Sequence, residues 1–354
     1  MHACSLSKER IVADVAAGQA TGSMTEKVFI STTGNGLARA VYSLLEQHEV
    51  ETLLDGVNVC CLAADPLDKQ RIYAGTQEMG VLRSDDQGKN WRSVGLNGHF
   101  VKAIAASPTQ SDVVYAGTKP AALFVSTDGG ASWADIPAFR RIPGRWFWRS
   151  PAEKPYIGYV QAIALSPSDP NTVVVGIEAG AVVVSRDRGK SWSRHLRGAL
   201  RDCHSLIFHV QDTQWAYEAG GSGGGAAYSR DGGQTWISAG KSLDRHYGWA
   251  VAADAVDPAI WYVSVSPGPF KAHSANNAQA YIFRHDGTHW HRLAGGLPQP
   301  LAHMPYALFA EAGVGGSIYA GLSNGEIWHS HDYGENWARL PLNLKSIYRS
   351  LVAL

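Results

Sequence analysis

The chain has 354 residues, of which 45% are hydrophobic and 18% charged, with 38 glycines and 12 tryptophans. That length can bury a sizeable core, and the composition excludes both disorder and a collagen-like repeat. Lysine plus arginine and aspartate plus glutamate each number 31, for zero formal charge, so neither nucleic acid nor an anionic membrane is expected as partner.

Residues 1–25 hold no apolar run of the signal-peptide kind and no pattern able to pack. They read as a disordered extension before a single domain spanning 26–354. Nowhere do 18 apolar residues follow one another, and Cys4, Cys60, Cys61 and Cys203 form no CxxC pair, which suits a cytoplasmic protein with buried thiols. Short strand-like runs begin at Lys27 and cover 28–32, 36–40 and 50–54. Helical spacing shows weakly at 39–47 alone.

From Asn58 onward one pattern recurs. Ser84, Asp86, Gly88 and Trp91 spell S-x-D-x-G-x-x-W. The same box returns at Ser126/Asp128/Gly130/Trp133, Ser185/Asp187/Gly189/Trp192, Ser229/Asp231/Gly233/Trp236 and Ser330/Asp332/Gly334/Trp337, with a shortened copy at Asp286, Gly287 and Trp290. Before the boxes come an apolar run ending in Pro (101–108, 160–167), a β-branched run ending in Gly (113–117, 172–176) and a run into the box serine (122–126, 181–185). With the segment that opens at the tryptophan this makes four antiparallel strands per repeat, the unit of a propeller blade. Six such blades start near Asn58, Val101, Val160, Cys203, Trp249 and Tyr306. Residues 27–54 supply strands two to four of a seventh, and 347–354 supply its first. The expected fold is therefore an all-β, seven-bladed propeller of four-stranded blades, one of them shared by the two termini, which removes exposed sheet edges.

Within the box, serine and aspartate oxygens can bond the hairpin backbone, glycine supplies positive φ and tryptophan covers the turn. On these motifs residues 27–354 resemble the Asp-box (BNR) repeat proteins. That superfamily includes sialidases, xyloglucanases, sortilin-type receptors and photosystem II assembly factors. The resemblance implies the fold and leaves function open. Arg141, Ile142 and Pro143 match the sialidase Arg-Ile-Pro motif but follow the second box instead of preceding the first, so sialidase chemistry is not expected. The surrounding loop sets Arg140, Arg141, Arg145 and Arg149 among Phe139, Trp146, Phe147 and Trp148. It reads either as a platform for sugars or carboxylates, with Arg141, Trp146 and Trp148 as contacts, or as a loop packed on its neighbour with solvated arginines.

Equivalent positions of different blades lie at one height around the axis. With Ala103, Ala162, Ser205, Ala250, Ala307 and Ser350 in one column, His99, Gly158, Arg201, His246, His303 and Ser346 stand four positions earlier. One position earlier stand Lys102, Gln161, His204, Trp249, Tyr306 and Arg349, with Cys60 matching. Both rings are expected at the channel mouth opposite the boxes. His99, His246 and His303 are candidate ligands of a divalent metal (Zn, Mn, Fe or Cu), or else they bond loop carbonyls and line a water-filled funnel. Glu178, His204, Tyr306 and Arg349 are candidate catalytic groups; Arg201, Lys102, Trp249 and His273 are candidate substrate contacts. Glu78 and Glu218 end second strands on the same face.

The expected function is a small-molecule or carbohydrate site at the channel mouth, serving a metal-dependent hydrolase or lyase. The alternatives are a glycoside hydrolase-like or glycan-binding protein, and a non-catalytic scaffold for a protein partner. The glycine run at 220–225 resembles a dinucleotide-binding loop, but no helix follows it to hold a dinucleotide phosphate.

Overall fold

A computed structural model of the chain describes residues 26–43, 48–221 and 224–354. The expected extension at 1–25 and Cys4 lie outside them. Seven antiparallel sheets follow one another along the chain, and successive innermost strands pack side by side around an axis. The ring is the seven-bladed propeller read from the repeat. Six sheets are four-stranded; the one beginning at Val160–Leu165 has three regular strands. There the Ser193 Oγ and His195 Nδ1 accept hydrogen bonds from the backbone of Val184 and Val182, so the outermost segment follows strand Val182–Ser185 without forming a ladder. Residues 39–42, part of the weakly helical segment, belong to strand Leu37–Tyr42. Their side chains are held by the sheet and not by a helical neighbour. Among the described residues no helix is long and apolar enough to cross a membrane.

The closing blade has the order Leu351–Ala353, Lys27–Thr32, Leu37–Tyr42, Val50–Leu53. Its two halves are joined by main-chain bonds from Val28 N to Leu354 O (3.3 Å), from Leu354 N to Val28 O (3.0 Å) and from Thr32 N to Ser350 O (3.1 Å). The Thr32 hydroxyl adds a bond to the Tyr348 carbonyl.

Each box is a hairpin staple. In the first, the Ser84 hydroxyl donates to Asp86 Oδ1 (2.7 Å) and accepts from Gly88 N (2.8 Å), while the Trp91 indole donates to the Gly88 carbonyl (2.9 Å). The set repeats at Ser126, Ser185, Ser229 and Ser330. Trp133 departs from it by donating to Val94 O of the preceding blade at 2.8 Å, which ties two blades together.

The glycine that ends four of the β-branched runs has a packing cause. A Cβ on Gly75 would lie 2.7 Å from Val101, one on Gly117 2.3 Å from Val160, one on Gly176 2.2 Å from Cys203 and one on Gly321 2.6 Å from Leu351. In each case the second strand of one blade meets the first strand of the next, where only a hydrogen fits. The last of these contacts lies against the C-terminal strand, so the ring is closed by the same device that spaces its other blades.

Deleting residues 347–354 removes the innermost strand of the closing blade and bares two strand edges. The truncated chain is expected to aggregate or to lose its cooperative thermal transition, as measured by size-exclusion chromatography and calorimetry. A soluble, cooperatively melting truncation would contradict the shared blade.

Candidate functional site

One irregularity recurs in the innermost strands. The register against the second strand skips between Val59 and Cys61, Val101 and Ala103, Val160 and Ala162, Cys203 and Ser205, Gly248 and Val251, and Pro305 and Ala307. The residues left out of the ladder include Cys60, Lys102, Gln161, His204, Trp249 and Tyr306. A bulge re-aims its extra side chain out of the pleat, and here all six point to the axis. In the closing blade Arg349 reaches the same place from a left-handed backbone, φ 76°. All seven line one axial cavity of about 490 Å³, together with Phe100, Glu153, Gln77 and Tyr348. The alignment of first strands thus corresponds to convergence in space.

The cavity is cationic on two sides. The Lys102 ammonium, buried beside the rings of Phe100 and Tyr159 (4.7 and 4.5 Å to their centroids), donates to Glu153 Oε1 at 2.7 Å. Glu153 also pairs with the buried Lys119 at 3.4 Å. Burial opposes ionisation of Glu153, but the two ammonium groups outweigh it and hold its carboxyl below the usual range. Arg349 is different. Its guanidinium lies 5.5 Å from the Trp249 ring centroid and 4.9 Å from that of Tyr348, and its Nε is buried without a hydrogen-bond partner. Among the described residues no carboxylate pairs with it. Behind Trp249 and Tyr306, on a side pocket that Arg349 also lines, His273 is pinned between two tyrosines, with Nε2 2.9 Å from Tyr247 Oη and Nδ1 2.6 Å from Tyr306 Oη.

His204 joins the cavity to a group in its wall. Its imidazole lies against Tyr247 and Trp249, with ring centroids 4.9 and 4.6 Å apart. Its Nδ1 is 2.7 Å from the Gly248 carbonyl. A carbonyl only accepts, so Nδ1 carries the hydrogen and Nε2 presents a lone pair. That lone pair faces Glu178 Oε2 at 3.6 Å and Asp202 Oδ1 at 3.7 Å. Burial lowers the His204 pKa, and burial followed by the neighbouring Asp202 raises that of Glu178 to about 8. Glu178, Asp202 and His204 offer three ligand atoms within 4.8 Å of one another, a set able to hold a metal ion.

The other expected site residues are placed as follows. His99 is exposed and packs edge-on against Phe124, with ring centroids 5.0 Å apart. His246 is exposed, and its backbone runs past Gly225. His303 lines a side pocket with His273, Tyr306 and Arg349. The structure does not bring these three imidazoles together as a ligand group; among the described residues the only such group is Glu178, Asp202 and His204. Arg201 is exposed and lines a smaller pocket with Asp202. Phe139 and Trp148 pack inward (0% and 9% exposed), whereas Trp146 and Phe147 stand out at 67% and 76%. Arg141, Arg145, Trp146 and Trp148 line a shallow groove of about 820 Å³.

Sequence reasoning missed Asp202 and Glu153. Asp202 stands two residues before His204 but just outside strand Cys203–Phe208, and His204 is the bulged position, so strand alternation does not relate the two and carried no signal. Glu153 reaches the cavity from a loop of irregular backbone and carried none.

No family model matches the chain, and no curated protein does. Among solved structures its fold is similar to that of an ancestral GH74 enzyme (TM-score 0.62, 20% identity, 80% of this chain and 38% of that one). It is also similar to the GH74 xyloglucanase from Xanthomonas campestris (0.60, 18%, 88% and 46%) and to YCF48 bound to D1 peptide (0.56, 15%, 82% and 84%). The chain spans less than half of either of these GH74 enzymes. At these identities the likeness is one of fold, that of the Asp-box propellers.

Glu218, fully buried beneath the site, gives the electrostatics a test. Burial raises its pKa from an ordinary 4.5 to about 8, and only Leu200 N and the Cys203 thiol offset this. A carboxyl whose folded pKa is raised supports the fold below its unfolded pKa and loses that support as pH rises through the folded value. The share of the stability that Glu218 contributes is therefore expected to fall between about pH 5 and pH 8, so that the melting temperature of Glu218→Gln, relative to that of the unchanged protein, is expected to rise across that range. A difference that stays constant across that range would show that Glu218 is ionised in the fold.

Proposed function

We propose that the axial cavity binds a small carboxylated molecule with a flat or ring-shaped body, and that Glu178, Asp202 and His204 act on it, making the protein a hydrolase or lyase. Arg349 carries the reading. A guanidinium set over an aromatic face, with a buried and unpartnered Nε and no carboxylate within ion-pair distance among the described residues, is matched to a planar anion from outside. The Trp249, Tyr306 and Phe100 rings suit the flat body, and the polar Gln77, Gln161 and Asn58 side chains offer orienting bonds. Because His204 belongs to both the cavity lining and the buried group, a ligand on Arg349 is presented to the reactive side chains.

A second reading has its own observation. The exposed Trp146 beside arginines over a shallow groove suits glycan stacking, and xyloglucanases occur among the fold's neighbours. The YCF48–D1 complex makes a peptide a further candidate for a propeller surface.

Isothermal titration with aromatic carboxylates, dicarboxylates and uronic acids separates these readings. At least one carboxylate is expected to bind, with Arg349→Met weakening it about ten- to a hundredfold, the size of a lost charge-assisted hydrogen bond, and Trp146→Ala leaving it unchanged. Absence of binding across the panel, or equal affinity in Arg349→Met, would contradict the carboxylate site. Neutral oligosaccharides that bind and are lost with Trp146→Ala would favour the groove.

A further inference from the structure

We infer that Glu178, Asp202 and His204 form a site for one divalent cation of the Zn²⁺ or Mn²⁺ type, set in the wall between the axial cavity and the pocket beneath the arginine-rich loop. The inference rests on these three side chains and stands or falls independently of whether the cavity takes a carboxylate.

Three observations carry it. The first is spacing. Nitrogen and oxygen ligands about 2.1 Å from one tetrahedral ion lie about 3.4 Å from each other, and the His204 nitrogen is 3.6 and 3.7 Å from the two carboxylate oxygens. These separations are too long for hydrogen bonds and close to what a shared ion requires.

The second is the aim of the imidazole. The His204 side chain is 1% exposed, and its Nδ1 is fixed on the Gly248 carbonyl. Metal-bound histidines are oriented in this way: the far ring nitrogen donates to a carbonyl or carboxylate, which fixes the tautomer and directs the other lone pair at the ion. With Tyr247 and Trp249 against the ring faces, the imidazole has little freedom to turn away.

The third is charge. Glu178 is buried, and no lysine or arginine lies within ion-pair distance of it among the described residues. A second carboxyl, Asp202, stands beside it, and for both to ionise together in a low-dielectric wall a counter-charge is required. A cation bound by both supplies one. One imidazole and two carboxylates suit Zn²⁺ or Mn²⁺; with three protein ligands a coordination position remains for water or a substrate oxygen.

The test uses the full chain purified without a histidine tag, titrated with Zn²⁺, Mn²⁺ and Co²⁺ in the absence of any organic ligand. One equivalent of metal is expected to bind, Co²⁺ is expected to give visible absorption bands of nitrogen–oxygen coordination, and Asp202→Asn is expected to weaken binding at least tenfold. His246→Ala is expected to change nothing. Replacing His204 would disturb the stacked rings, so the near-isosteric Asp202→Asn and Glu178→Gln variants carry the comparison, each checked for a wild-type melting transition. No saturable uptake by folded wild-type protein, or equal uptake by Asp202→Asn, would overturn the site. Metal without carboxylate binding would remove only the cavity reading, and carboxylate without metal binding only this one.

Discussion

The bulge in each innermost strand is the constraint on which the rest of the molecule depends. Six first strands skip one ladder position, or two at Trp249, on approaching the axis. A regular strand would alternate its side chains between the two blade interfaces, and the axis would be lined by backbone. The skipped residue escapes that alternation and points down the channel. Cys60, Lys102, Gln161, His204, Trp249 and Tyr306 owe their convergence to this device. Arg349 reaches the same cavity through its left-handed backbone, a conformation that costs energy for a residue with a side chain.

The ring must hold its pitch for that convergence to persist. Two sequence features do so at different radii. Near the axis, Gly75, Gly117, Gly176 and Gly321 let one blade's second strand touch the next blade's first. At the periphery, five boxes close their hairpins with a serine and an aspartate, and the shortened sixth does so with Asp286 and with His285, whose Nδ1 accepts from Gly287 N. Asp86, Asp128 and Asp332 are held at a pKa of about 2: at Asp86 burial is the largest single influence and raises it, but the hydrogen bonds from Asn90, Ser84 and the backbone together outweigh it, whereas at Asp128 and Asp332 the hydrogen bonds from Ser132 and Asn336 lead. The boxes thus remain formed across the neutral range.

The fold was legible because a repeat states its geometry several times over. Five full boxes and the Pro- and Gly-terminated runs gave the blade, and the unpaired segments 27–54 and 347–354 gave the closure. The ring of seven was legible for the same reason: polar and aromatic residues at one register cannot all be core. The three histidines show the limit of that reasoning. Their shared register four positions before the column lies outside the ladder, where loop conformations differ between blades, so equal sequence distance no longer means equal place. His99 and His246 turn to the surface while His303 enters a side pocket. The Glu178–Asp202–His204 group is built from the end of one blade's second strand and the start of the next blade, a contact across blades that no single repeat displays. Glu153 reaches its lysines from a loop with no repeat at all.

The claim that binds these observations is that the bulged ring forms one anion-receiving cavity with Arg349 at its centre. A crystal structure of the protein with its tightest-binding carboxylate tests it most directly. The account predicts the carboxylate on the Arg349 guanidinium, the ligand body against Trp249, and the ring residues around it. A ligand lodged in the outer groove at Trp146, or an axial cavity filled by its own side chains with Arg349 turned away, would contradict it.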